Sequence, residues 1–274
     1  MVPSPSPSPA GRGRSGEGRG VYTKQSMLIR LQKALAQAGL ASRRKAEQWI
    51  REGRVSVNGE IVTTLGAQAD PGVDRIAVDG RSINRAEPKV YYLLHKPTGY
   101  VSTCEDDRGR PTVLDLLRPM ACRLFPIGRL DWDSEGVLLL TNDGELAQRL
   151  LHPRYHLRRT YLAKVAGIPT AETLQRLAQV GQAPEHQERR PRVRIVRARE
   201  RHAWVEIHLW EGRNRQVRRM CEAVGHPVKR LRRVRFAGLG LTGLATGQYR
   251  PLTPAEVGML KRVTGLDRTR TRAH

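Results

Sequence analysis

The stretch PIGRLDWDSEGVLLLTNDGELAQRLLHP, Pro126–Pro153, decides how the chain reads. Val137–Leu140 is an unbroken apolar run of strand length, which suits a strand buried on both faces. Glu145–Leu151 places Leu146, Ala147 and Leu150 at helical spacing. Ahead of the strand, Gly128-Arg129-Leu130-Asp131 forms a loop with one carboxylate in a strongly basic chain. A cation two residues away can hold such a carboxylate ionised. That suits a nucleophile or base acting on a substrate with its own negative charges. A turn Asp bonded to its local backbone is the plainer alternative.

Strand-like segments recur outward from this core at Val90–Leu94, Tyr161–Val165, Val193–Val196 and Trp204–Leu209, with helices at Ala171–Val180 and Asn214–Val224. Long connections and few helices predict an α+β fold with a mixed or antiparallel sheet over residues 86–260. Glu87-Pro88 marks the hinge into it. Residues 27–85 read as a smaller α+β unit. Leu28, Leu31, Leu35 and Ala38 share a helical face, and Ser42 can N-cap a second helix. Asn58-Gly59 and Asp79-Gly80 are two-residue hairpin turns. Residues 1–26, with Pro-Ser alternation and then Gly and Arg, read as a disordered basic extension that lacks the apolar segment of a signal peptide. Residues 261–274 read as a frayed basic tail.

With 49 Lys and Arg against 26 Asp and Glu, the 274-residue chain carries a net charge of +23. Forty-one of those cations are Arg, whose fork suits phosphate and bases, although GC-rich coding also favours it. No apolar run approaches the ~18 residues that span a bilayer. Three scattered cysteines exclude a disulfide scaffold and fit a reducing, cytoplasmic setting. The histidines show no metal spacing. Neither a GxSxG elbow nor a P-loop is present. Gly238–Gly243 matches GxGxxG without the βαβ context, so these are turn glycines. Asp131–Gly136 resembles half a calcium loop but departs at its fifth and twelfth positions.

Two basic concentrations stand out. Arg30, Lys33, Arg43, Arg44, Lys45 and Arg54 decorate the small unit, with Arg43–Lys45 beside Ser42 at a helix N-terminus that attracts phosphate. Between Arg189 and Arg235, 15 Arg and Lys229 face only four Glu. There, EGRNRQVRRM (Glu211–Met220) opens a helix with Arg215, Arg218 and Arg219 at helical spacing, one of which could project inward to a buried acid.

RLQKALAQAGLASRRKAEQWIREGRVSVNG (Arg30–Gly59) resembles the S4-type RNA-binding domain. The Pro126–Pro153 stretch, RRTYLAKV (Arg158–Val165) and HLWEGRNRQVRRMCEAVGHPVKRLRRVRF (His208–Phe236) resemble bacterial ribosomal RNA pseudouridine synthases with an N-terminal S4-type domain. LLHKPTGYVST fits that family's first catalytic strand. Arg159 stands where its Tyr motif usually has Lys. The resemblance implies isomerisation of uridine to pseudouridine in ribosomal RNA by side chains alone, without cofactor or metal. Asp131 would be the catalytic carboxylate, Tyr161 would stack on the uracil, Arg218 would pair with Asp131, and Arg129 would fill the gap left by the flipped nucleotide. Arg213, Arg215 and Arg219 join the small unit's Arg30, Lys33, Ser42, Arg43, Arg44, Lys45 and Arg54 as RNA contacts. The layout is most like the B-type enzymes that act on the large ribosomal particle, pointing to 23S rRNA or an assembly intermediate and a monomer. A 16S enzyme, a non-catalytic RNA-binding factor and a metal-dependent nuclease using Asp131 and Asp133 are the alternatives.

Overall fold

The computed structural model describes residues 27–83, 87–120, 122–182 and 190–267. The expected extension over 1–26, the boundary at 85/86 and the end of the tail lie outside them.

The small unit runs β1 (Ile29–Arg30), α1 (Leu31–Gln37), α2 (Arg43–Arg51), β2 (Val55–Val57), β3 (Glu60–Ile61), β4 (Gln68–Ala69), β5 (Ile76–Val78) and β6 (Arg81–Ser82). Ser42 N-caps α2, its hydroxyl accepting from Lys45 N at 3.1 Å. Both Asx-Gly turns close hairpins, β2–β3 and β5–β6, with Asn58 and Asp79 at positive φ. Leu31, Leu35, Ala46, Ile50 and Val55 form the core. Leu28 does not share the face of α1: it precedes β1 and is exposed, because residues 29–30 are drawn into an antiparallel pair with β4.

The larger unit contains β7 (Tyr91–Lys96), β8 (Phe125–Ile127), β9 (Ser134–Thr141), α3 (Gly144–Leu151), β10 (Arg159–Ala166), α4 (Ala171–Val180), β11 (Arg192–Arg199), β12 (His202–Leu209), α5 (Gln216–Ala223), β13 (Val228–Phe236), β14 (Leu239–Gly240), β15 (Tyr249–Pro251) and α6 (Pro254–Val263). One nine-stranded sheet orders them β11-β12-β10-β13-β9-β7-β15, with β14 beside β13 and β8 beside β9. Every pairing is antiparallel except β13 with β9. The fold is therefore α+β with a mixed sheet, as the sequence predicts.

All eight residues of β9 are buried, as an apolar central strand requires. Along one edge it pairs β13 through Ser134–Gly136 and then β8 through Leu139–Thr141. The sheet opens between those two partners. Helices α4 and α5 cover Ala163, Val205, Ile207 and Leu231, while α3 and α6 close over Leu93, Val137 and Leu139. The domain end expected at residue 260 falls inside α6. A Thr253–Glu256 capping box starts that helix, and Leu260 and Thr264 are fully buried, so these residues belong to the core. Of the glycines in the 238–243 stretch, Gly238 turns β13 back into β14, Gly240 lies in β14 and Gly243 follows it.

Gly136 is the tightest point of the β9–β13 pairing. Its φ is +126°, and an added Cβ would lie 2.2 Å from Arg233 O and 2.6 Å from Arg233 N. Gly136→Ala should cost about 3 kcal/mol or more through strain and displaced backbone. In thermal denaturation that is a fall in Tm of roughly 6–12 °C. Gly240→Ala, whose added Cβ would sit 3.7 Å from its nearest neighbour, should shift Tm by much less.

Candidate active site

The β8–β9 loop is pinned from both sides. Leu130 is buried, its N–H donating to Ser102 Oγ at 3.0 Å while that hydroxyl donates to Leu130 O at 2.8 Å. Lys96, at the end of β7, is fully buried. Its Nζ donates to Asp131 O at 3.1 Å, Ser134 O at 2.9 Å and Pro97 O at 2.9 Å. Three carbonyls thus meet the three N–H bonds of one ammonium. The Asp131 backbone is held from inside the protein, leaving its side chain to face outward.

Outside that turn lies a cavity of about 360 Å3. Arg129, Asp131, Tyr161, Arg213 and Arg215 are among the residues that line it. Asp131 is the one carboxylate among the described residues lining it. Tyr161 is buried on β10, opposite Ile207 of β12 and Arg233 of β13. The size and mixed lining suit one small ring system.

Arg218 does not pair with Asp131, as the resemblance implied. Its Nη2 lies 3.0 Å from Asp133 Oδ1 and also donates to Asp133 O at 3.0 Å, while Nη1 donates to Val228 O at 3.3 Å. The cation at Asp131 is Arg215, with Nη1 3.6 Å from Asp131 Oδ2 and 3.6 Å from Asp133 Oδ1. The reason is local. Arg215 adopts φ +48° and N-caps α5, so the helix begins at Gln216 rather than Asn214. That left-handed residue breaks the helical phase and sends Arg215 to the cavity, while Arg218 stays behind the loop.

Arg159 and Arg233 are buried cavity-lining cations to which the sequence assigns no role. Each guanidinium lies 5.2 Å from the centre of the Phe236 ring, one way to hold cations away from water. Arg233 Nε donates to Val137 O at 2.9 Å, whereas its buried Nη2 has no protein partner. Burial lowers the pKa of Arg159. Lys96 likewise shows no sign of burial in the sequence.

The residues expected to contact RNA divide. Arg30, Arg43, Arg44, Lys45, Arg213, Arg215 and Arg219 are exposed, and Lys33 is half-buried. Ser42 spends its hydroxyl on the α2 cap. Arg54 is no free cation: it forms a bidentate pair with Asp79 at 3.0 and 2.6 Å and stacks 5.0 Å from the Trp49 ring centre. Among the described residues no group of three or more His, Cys, Asp or Glu could hold a metal ion, and no helix is long and apolar enough to cross a membrane.

The sequence profile of the family described as RNA pseudouridylate synthase matches residues 90–223, and that of the S4 domain matches 29–74. The chain is 48% identical over 234 residues, 85% of its length and 95% of the relative's, to ribosomal large subunit pseudouridine synthase B of Bacillus subtilis. It is 43% identical to an RNA pseudouridine synthase of Aquifex aeolicus, over 88% of this chain and 96% of that one. A crystal structure of a pseudouridylate synthase matches with a TM-score of 0.57 at 30% identity, covering 85% of this chain and 99% of that chain. The chain belongs to the RNA pseudouridine synthase family. It is an enzyme of that class, with an S4 RNA-binding domain ahead of the synthase domain.

Burial pushes the Lys96 amine down to about 8, against the pull of the Asp131 and Asp133 charges, from the usual 10.5. The unfolded lysine keeps its proton up to about 10.5, so between pH 8 and 10.5 the unfolded state binds more protons than the folded one. Stability from this group therefore rises with pH across that window, by up to about 3 kcal/mol. Lys96→Met should flatten that rise in urea titrations at pH 7.5–10. It should also lower stability at pH 7 by stranding three buried carbonyls.

Proposed function

We propose that the protein isomerises a uridine of large-subunit ribosomal RNA to pseudouridine, with Asp131 as the catalytic carboxylate. The observation that carries this reading is Asp131 as the one acid in a cavity that it shares with Tyr161, five arginines and a set of apolar side chains. The name of the Bacillus subtilis relative supports large-subunit RNA, 23S, as the substrate. The protein acts as a monomer in the cytoplasm, on rRNA or a ribosomal assembly intermediate.

The target nucleotide leaves its stack and enters the cavity, at an unstacking cost of a few kcal/mol. Exposed cations of the S4 domain and of the 213–219 segment offset that cost through phosphate contacts. Arg129, exposed and lining the cavity, fills the vacated place in the RNA. Tyr161 stacks under the uracil ring and assists loss of the C5 proton. Asp131, with Arg215 beside it, acts at the ribose while the C1′–N1 bond breaks; the uracil turns, C5 bonds to C1′, and N1 gains a proton to match the one lost from C5. Arg218 acts one step back, holding the Asp133 backbone and so the shape of the loop. The unpartnered Arg233 Nη2 is a ready donor for an oxygen of the bound nucleotide.

Asp131→Asn preserves the shape of the loop and removes the charge that the chemistry needs. It should abolish tritium release from C5-labelled uridine in 23S rRNA while keeping RNA affinity within a few-fold. Asp133→Asn should retain substantial activity. Near wild-type release by Asp131→Asn would remove Asp131 from the mechanism. Binding without release by the wild type on both 23S and 16S rRNA would instead assign a non-catalytic role.

A further inference from the structure

The cavity lies on one side of β10 and β13. Strand alternation sends the neighbours of Tyr161, namely Thr160 and Leu162, to the other side. On that side the half-sheet β11-β12-β10-β13 has no covering helix among the described residues: its inward positions carry the α4/α5 core, and its outward positions are exposed or half-buried apart from Thr160.

Register defines what that face displays. On β11 it carries Arg192, Arg194, Arg197 and Arg199, a bulge at Val196 keeping the last two in phase. Lys164 of β10 lies opposite Arg230 of β13, Leu162 opposite Arg232, and Thr160 opposite Arg235. Eight cations therefore share one face, and two carboxylates answer them. Glu206 accepts from Arg194 at 2.8 Å, and Glu135 accepts from Arg232 at 2.7 Å. Trp204, half-buried, sits opposite both Arg197 and Lys164. With strands ~4.8 Å apart and alternate residues ~6.7 Å apart, the array covers roughly 14 Å by 20 Å. Coding bias toward Arg does not select a face. Here the inward positions of the same strands are apolar except at the cavity end, where Arg159 and Arg233 lie.

We propose that this outer face of the β11-β12-β10-β13 half-sheet is a second RNA-binding platform, which grips the phosphate backbone of RNA flanking the target nucleotide, independently of its sequence. The proposal rests on the RNA substrate proposed above. Arginine forks on a flat, regular lattice match phosphate oxygens, and Trp204 offers a ring for a base. Arg192, Arg197 and Arg199 are the free edge: each is exposed, and none forms an ion pair among the described residues. They belong to the edge strand, so RNA reaches them without moving any element.

The test compares wild type with Arg192→Thr/Arg197→Thr/Arg199→Thr. Binding to a full-length 23S rRNA transcript is measured from 50 to 200 mM KCl, and tritium release is measured at saturating RNA. Three lost phosphate contacts should reduce the slope of log K against log salt by about 2 to 2.7, so that the wild type loses about 20- to 40-fold more affinity than the variant over that range. The rate at saturation should be unchanged, because no substituted residue reaches the cavity. If the triple variant does not fold, Arg199→Glu alone should still lower the slope by about 1. An unchanged slope overturns the proposal. So does an unchanged slope with weaker binding to assembled ribosomal particles, which would assign the face to a ribosomal protein. A wild type that binds 23S rRNA but releases no tritium would sink the substrate reading while leaving the slope comparison intact.

Discussion

A buried ammonium organises the centre of this enzyme. Lys96 closes β7, sits in the interior with its charge, and spends all three N–H bonds on carbonyls of Pro97, Asp131 and Ser134. Burying a charge is costly unless it is fully hydrogen-bonded. That requirement forces the β8–β9 loop to fold around Nζ in one arrangement. With its backbone committed inward, Asp131 can turn only its carboxylate to the cavity. The strand pairing that starts at Ser134, and with it the seat of β13, follows from the same turn.

Around that turn the charges fall into layers. Asp131 and Asp133 both see Arg215, and Arg218 closes on Asp133 from behind. Arg159 and Arg233 lie deeper, flanking Phe236. A cavity so rich in cations favours a substrate that carries phosphate. The exposed cations of the S4 domain and the bare sheet face extend the same field outward, where it acts on affinity and on encounter rather than on the reaction itself.

Much of this was legible in the residues. Periodicity located β9, β10, β12 and, to the residue, α4; Ser42 and the two Asx-Gly turns announced their cap and hairpins by chemistry that acts over two or three residues. What was hidden depends on distant partners. β13 reads as a charge run, VKRLRRVRF, because its outward face is cationic and its one long apolar side chain before the end, Leu231, is isolated in sequence. Arg54 looks free until Asp79, 25 residues on, folds beside it. The exchange of roles between Arg215 and Arg218 turns on a single left-handed residue, which helical spacing cannot foresee. Lys96 is invisible for the same reason: two of its acceptors lie 35 and 38 residues away.

The cavity between Asp131 and Tyr161 is expected to receive a single nucleotide flipped out of ribosomal RNA. The most direct measurement is a crystal structure of Asp131→Asn bound to a 23S rRNA fragment that the wild type modifies. An extruded uridine is expected there, with its uracil on Tyr161 and its C1′ within ~3.5 Å of the residue 131 side chain. A target uridine still stacked in the RNA, or seated with its ribose remote from residue 131, would contradict it.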